Sequence, residues 1–339
     1  MSAAFDEAAV EALLGAYALD ACDSDESAAV EALLALRPDL AREAQRLANA
    51  AAWIGAAEAL EAPSTMRGSL LTRARARRAS AESDGPLRAY LASTVRLDDT
   101  IATLEPGDLD APTANGLSAR DLVVHLAAQE SLLAQAIEAS PVPDVTDDDV
   151  PTRTGTLVQR FAGRPLADAQ AVWRQSVEAV QGWAGDPETR DVTLRWLEFD
   201  LPRDNVLVAR AFENWIHRDD LRRASGHSTE APPAAELSVM SDLSLRTMPM
   251  ALLATGHARP GKVARVVLTG AGGGDWLVAM GGGDVPSDAT PDVTLTADVV
   301  DWCLVAGERL AADELDLTVE GDLSLADDVL ASATAFATL

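Results

Sequence analysis

Cysteine is nearly absent from this chain of 339 residues: Cys22 and Cys303 stand far apart, and neither belongs to a Cys-x-x-Cys pair. That arithmetic argues against a disulfide framework and against a thiolate zinc site. Basic residues are also few, 27 Lys plus Arg against 54 Asp plus Glu, for a net charge of -27. Nucleic acid and anionic membranes both present negative charge, so neither is an expected partner. No uninterrupted apolar run is long enough to span a bilayer, and no charged-then-apolar leader opens the sequence. A cytoplasmic protein is expected. Histidine is scarce too, with only His125, His217, His227 and His257.

What is present is mostly helical pattern, and the length allows two or three domains. Residues 1–80 are rich in Ala and Leu. Ala8–Leu19 reads as one helix, Asp23–Glu26 as the N-cap of a second through Ala35, and Pro38 as the start of a third. Met66–Arg78 reads as a short basic helix, and Ala79–Pro86 as a linker. On a chain this acidic the Arg run is expected to form a solvated face or a protein contact. The segments Leu13–Asp20, Asp23–Glu26, Ala29–Ala32 and Ala62–Arg67 resemble the N-terminal domain of zinc-associated actinobacterial anti-sigma factors. That family continues into His-x3-Cys-x2-Cys, but here the three positions read Leu33, Arg37 and Leu40. The resemblance therefore implies a helical domain without zinc, Leu33 and Leu40 packing where metal would sit. It also implies a sigma factor as a possible partner, with Leu13, Leu14, Tyr17, Leu19, Met66, Leu70 and Leu71 as candidate anchors. Packing within the chain is the alternative use of the same residues.

Residues 87–228 read as a second helical region. Helices are predicted over 87–104, 121–137, 165–183 and 205–221, with Ser118 and Asp121 as a shortened capping box for the second. Glu213 and His217 lie four apart on the last helix and so share a face. They can serve as two ligands to a divalent metal or form an ordinary solvated pair. His125, on the mainly apolar second helix, is either a satisfied core histidine or a third ligand from another helix of the same bundle. His227 and His257 each follow a glycine and read as loop residues. Asp220 is a candidate for orienting a ligand through a hydrogen bond. Arg210, Arg218 and Arg222 either pair with a substrate carboxylate or complement the helix dipole at the surface.

Two motifs give the region a specific likeness. Arg120–Glu130, of the form R-D-L-x-x-H-L-A-x-x-E, and Arg210–Leu221, of the form R-x-x-E-x-x-x-H-x-x-D-L, resemble the mycothiol-dependent maleylpyruvate isomerase family. The resemblance implies a DinB-like four-helix bundle whose metal ligands are His125, Glu213 and His217. It further implies zinc or a similar divalent ion with an open position for a thiol or water, and mycothiol as a possible cofactor.

From about residue 229 the texture changes to strands, glycines and turns. Val263–Thr269 and Asp275–Met280 read as a hairpin, Val293–Ala297 and Leu315–Gly321 as further strands, and 298–305 and 324–336 as helices. Asp292–Asp298, Gly307–Arg309 and Val319–Asp322 resemble the same family's sterol-carrier-like C-terminal domain. The expected fold is mostly α: a small helical bundle over 1–80, a four-helix bundle over 87–228, and a smaller α+β domain over 229–339. Two functions follow as expectations. One is a metal-dependent, mycothiol-using isomerase or thiol transferase, fused to a sigma-factor-binding domain. The other is an anti-sigma-type regulator whose metal domain acts as sensor or scaffold.

Overall fold

Alanine and leucine at helical spacing build the first of two units, which in the computed structural model are Met1–Arg67 and Gly68–Leu339. The structure describes residues 7–19, 21–57, 85–114, 116–196, 199–286 and 288–335. In the first unit the described helices are α1 (Glu7–Glu11), α2 (Leu14–Ala18), α3 (Ser24–Leu36) and α4 (Pro38–Ala57). The single helix expected over 8–19 is broken by a turn in which the Leu13 amide donates to the Val10 carbonyl. The start of α3 is fixed by a reciprocal pair: the Glu26 amide donates to Asp23 at 2.8 Å, and the Asp23 amide to Glu26 at 3.0 Å. Val10, Leu14, Val30, Leu40 and Ala44 are buried together, with Leu13, Tyr17 and Leu33 packed against them. Leu40 and Leu33 thus stand in or against an apolar core, while Arg37 pairs with Asp39 at 2.8 Å. Leu19 is exposed. The expected basic helix Met66–Arg78, with Leu70 and Leu71, lies outside the described residues.

The second unit opens with a bundle of α5 (Gly85–Thr103), α6 (Ala119–Ala136), α7 (Val150–Phe161), α8 (Leu166–Ala184) and α9 (Arg203–Ala224). Helix α5 packs along α9, and α6 lies between α7 and α8. Four of these match the predicted helices; α7 is an addition, started by Asp149, whose side chain accepts from the Thr152 amide at 2.8 Å. Helix α6 is capped by Ser118 as expected, its hydroxyl accepting from the Asp121 amide at 3.1 Å. The Asp121 carboxylate takes the Ser118 hydroxyl in turn, at 2.9 Å. Between α8 and α9 a short antiparallel hairpin, β1 (Thr193–Trp196) with β2 (Phe199–Pro202), sets Trp196 against the core and leaves Arg195 outward.

The region after 229 does not turn directly to strands. It begins with a 21-residue helix, α10 (Ala234–Ala254), which packs on α5 and α9. Its apolar positions Leu237, Met240, Met248 and Leu252 are buried, so burial between bundle and sheet holds it despite Pro249 in its last turns. Then follow β3 (Val263–Thr269), β4 (Gly274–Ala279), β5 (Val293–Asp298), α11 (Val299–Ala306), β6 (Thr318–Gly321) and α12 (Leu323–Ala333). The sheet order is β4-β3-β5-β6, with β3 and β5 parallel and the outer pairings antiparallel. One apolar core runs through Tyr90, Phe212 and Ile216 of the bundle, Met240 of α10, and Val266, Leu295 and Trp302 of the sheet region. No described helix is long and apolar enough to cross a membrane.

Candidate metal centre

Helical spacing places Glu213, His217 and Asp220 on one stripe of α9, with the imidazole between two carboxylates. His217 Nε2 meets Glu213 Oε2 at 3.1 Å, and its Nδ1 meets Asp220 Oδ2 at 3.1 Å. From α6, His125 comes edge-on to His217, with ring centroids 5.2 Å apart and planes at 86°. Its own Nδ1 bonds to Thr154 Oγ1 of α7 at 3.0 Å. Helix α7, which the sequence reading missed, thus supplies the group that orients this ring. The signal was there in Asp149-Val150-Pro151, an N-cap residue followed by a proline in the first turn.

The three residues named from the sequence therefore meet on one wall. Among the described residues, though, no group of three or more His, Cys, Asp or Glu stands as a ready-made metal cluster. The Glu213 carboxylate is bonded to His217 Nε2, the nitrogen a metal would use.

Charge around the pair is divided unequally. Burial, and then the positive potential of His217, push His125 down to about 3, so it is neutral near pH 7. For His217, burial works toward a lower pKa, but the hydrogen bonds its ring donates to Asp220 and Glu213 outweigh it and the net shift is upward. Burial works to raise Glu213 as well, and there the bond and charge of His217 prevail and lower it. Asp220 is lowered in the same way, against its burial, by Arg309 and His217.

Behind the wall lies a second buried network. Arg210 reaches Glu130 through Nε and a terminal nitrogen, both at 3.3 Å, and Gln129 at 3.1 Å. The Tyr90 hydroxyl donates to the other oxygen of Glu130. Arg210, offered from the sequence as a partner for a substrate carboxylate, is thus already engaged with one of the protein's own. Arg218 and Arg222 both pair with Glu230. His227 and His257 lie in loops, as expected, where His257 bonds to Asp328 at 3.0 Å.

A cavity of about 1090 Å³ opens onto His125, Glu213 and His217. Arg195 and Phe199 of the hairpin line it, with Asp148 and Asp149 before α7 and Gly307, Glu308 and Arg309 after α11. The cavity thus draws on the bundle and the sheet region together. Arg309 is the functional candidate that sequence reasoning passed over; it stood within the quoted segment Gly307–Arg309 with no role attached.

Residues 90–222 match the family model described as the mycothiol maleylpyruvate isomerase N-terminal domain, and every one of the three named residues lies inside that match. Two crystal structures of the mycothiol-dependent maleylpyruvate isomerase, one of a histidine-to-alanine mutant, are similar in structure. Each aligns at a TM-score of 0.46 and 13% identity, covering 70% of this chain and 95% of that one. Among curated proteins no sequence matches. The anti-sigma likeness of residues 1–80 lies outside the matched domain and has no support from these comparisons.

Proposed function

We propose that His125, Glu213 and His217 bind one zinc or similar divalent ion, and that the cavity they line uses mycothiol as isomerase or thiol transferase. The observation that carries the reading is the convergence of two imidazoles and a carboxylate on one cavity wall, inside the matched domain. The donor set suits the ion. Both rings have Nδ1 engaged, by Thr154 and by Asp220, which leaves Nε2 as the ligating nitrogen, and an ion would replace the bond that now joins His217 Nε2 to Glu213. His125 is already neutral near pH 7, as a ligand must be. When bound, the ion would lower the pKa of a thiol and so supply a thiolate near neutral pH.

The protein's own groups would do the rest. The side chains of Leu132 and Ile216 give the cavity an apolar wall, and Arg195 at its edge brings positive charge for an anionic ligand. The test is spectroscopic: mycothiol added to the cobalt-loaded protein should raise a thiolate-to-cobalt charge-transfer band. A cobalt spectrum unchanged at saturating mycothiol would overturn the thiol part of the reading and leave a metal scaffold, as the regulator alternative requires.

A further inference from the structure

We infer that Arg309, which follows α11 in the sheet region, is a positioning residue for the metal centre and acts on His217 through Asp220. The inference rests on the metal reading above.

Asp220 is fully buried, and a buried carboxylate is costly unless its oxygens are satisfied. Arg309 meets both of them as a fork, Nε to Oδ1 at 2.7 Å and a terminal nitrogen to Oδ2 at 2.6 Å. Oδ2 also meets His217 Nδ1 at 3.1 Å. One carboxylate therefore joins a guanidinium on one side to the imidazole on the other. Asp220 alone, three residues along the helix from His217, would keep the freedom of its own rotamers. With both oxygens held, its plane is fixed, and the His217 ring is fixed with it.

Arg309 is itself aimed. Its remaining terminal nitrogen donates to the Gly307 carbonyl at 2.7 Å. Gly307 sits hard against α9, where a Cβ would come 2.7 Å from Ile216 Cδ1 and 3.3 Å from Phe212 Cζ. Helix α11 ends in a left-handed residue, Glu308 at φ 57°, and the Arg309 amide then returns to the Leu304 carbonyl at 2.7 Å. The close approach of the glycine and the left-handed turn together bring the guanidinium back over Asp220. A ligand of the bundle is thus oriented by a residue about ninety positions away on a different element.

The test is metal affinity, measured by cobalt titration and by zinc competition against a chromophoric chelator. The variants are Asp220→Asn, Arg309→Gln, Arg309→Lys and the double variant Asp220→Asn with Arg309→Gln. Loss of an outer hydrogen-bond partner should weaken binding about tenfold to hundredfold. We expect that for Asp220→Asn, a smaller loss for Arg309→Gln, and partial rescue with Arg309→Lys. Because Arg309 acts through Asp220, the double variant should bind no more weakly than Asp220→Asn alone. Far-UV circular dichroism shows whether each variant folds, and Arg309→Lys keeps the buried charge if Arg309→Gln does not fold. Wild type and Arg309→Gln binding equally would overturn the inference while leaving the metal reading intact, as would losses that multiply in the double variant. Failure of the wild type to take up either ion would overturn the metal reading, and this one with it.

Discussion

At the scale of single residues, His217 is the proposed ligand whose surroundings favour the protonated ring. Its pKa is raised by Asp220 and Glu213 against the effect of burial, whereas His125 is depressed to about 3. Metal uptake below the folded pKa of His217 should therefore release one proton, and apparent affinity should rise about tenfold per pH unit there and level off above. Calorimetry in buffers of different ionisation enthalpy reads the proton directly. The metal-free protein follows the opposite signs of the two shifts. His125 binds its proton more readily in the unfolded chain, so its contribution to stability falls as pH drops from about 6.5 toward 3. His217 contributes stability that is complete below its unfolded value and lost as pH rises through the raised one. A second prediction concerns the network behind the wall. Arg210→Met would leave Glu130, at 0% exposure, with only Tyr90 and no cation. Urea unfolding should then show a loss of about 3–5 kcal/mol, the usual cost of breaking a buried pair from one side.

At the scale of elements, α11 and its C-terminal turn decide how the sheet region meets α9. Gly307→Ala should cost about 1–3 kcal/mol in chemical denaturation, because its Cβ would press on Ile216. Ile216→Val removes the methyl nearest that Cβ and should recover much of the loss. This scale also separates what the sequence disclosed from what it hid. The i, i+4 spacing of Glu213 and His217 is a property of one helix, so it could be read without any fold. His125 was found because histidines are few and the second helix was clear. Thr154 and Arg309 were hidden for a different reason: each acts by tertiary proximity, from 29 residues along the chain to His125 and from 89 to Asp220. Helix α10 was missed because what holds it is burial between bundle and sheet, which no local pattern displays. The caps at Ser118 and Asp298, being local, were where a local reading succeeds or comes within a residue.

At the scale of the whole molecule, the net charge of -27 means that the folded chain repels itself at neutral pH. Raising sodium chloride from low ionic strength should screen that repulsion and raise the melting temperature. A monotonic fall would mean that ion pairs such as Arg309 with Asp220 outweigh the repulsion. The same negative field favours divalent cations at the surface, so occupancy of the centre must be separated from loose binding. The direct measurement is elemental analysis of the purified protein after zinc loading and extensive dialysis, for the wild type and for His125→Ala. The wild type should hold about one zinc per chain tightly, and His125→Ala should lose it with helical content unchanged. A wild type that retains no zinc, or a His125→Ala protein that retains as much as the wild type, would contradict it.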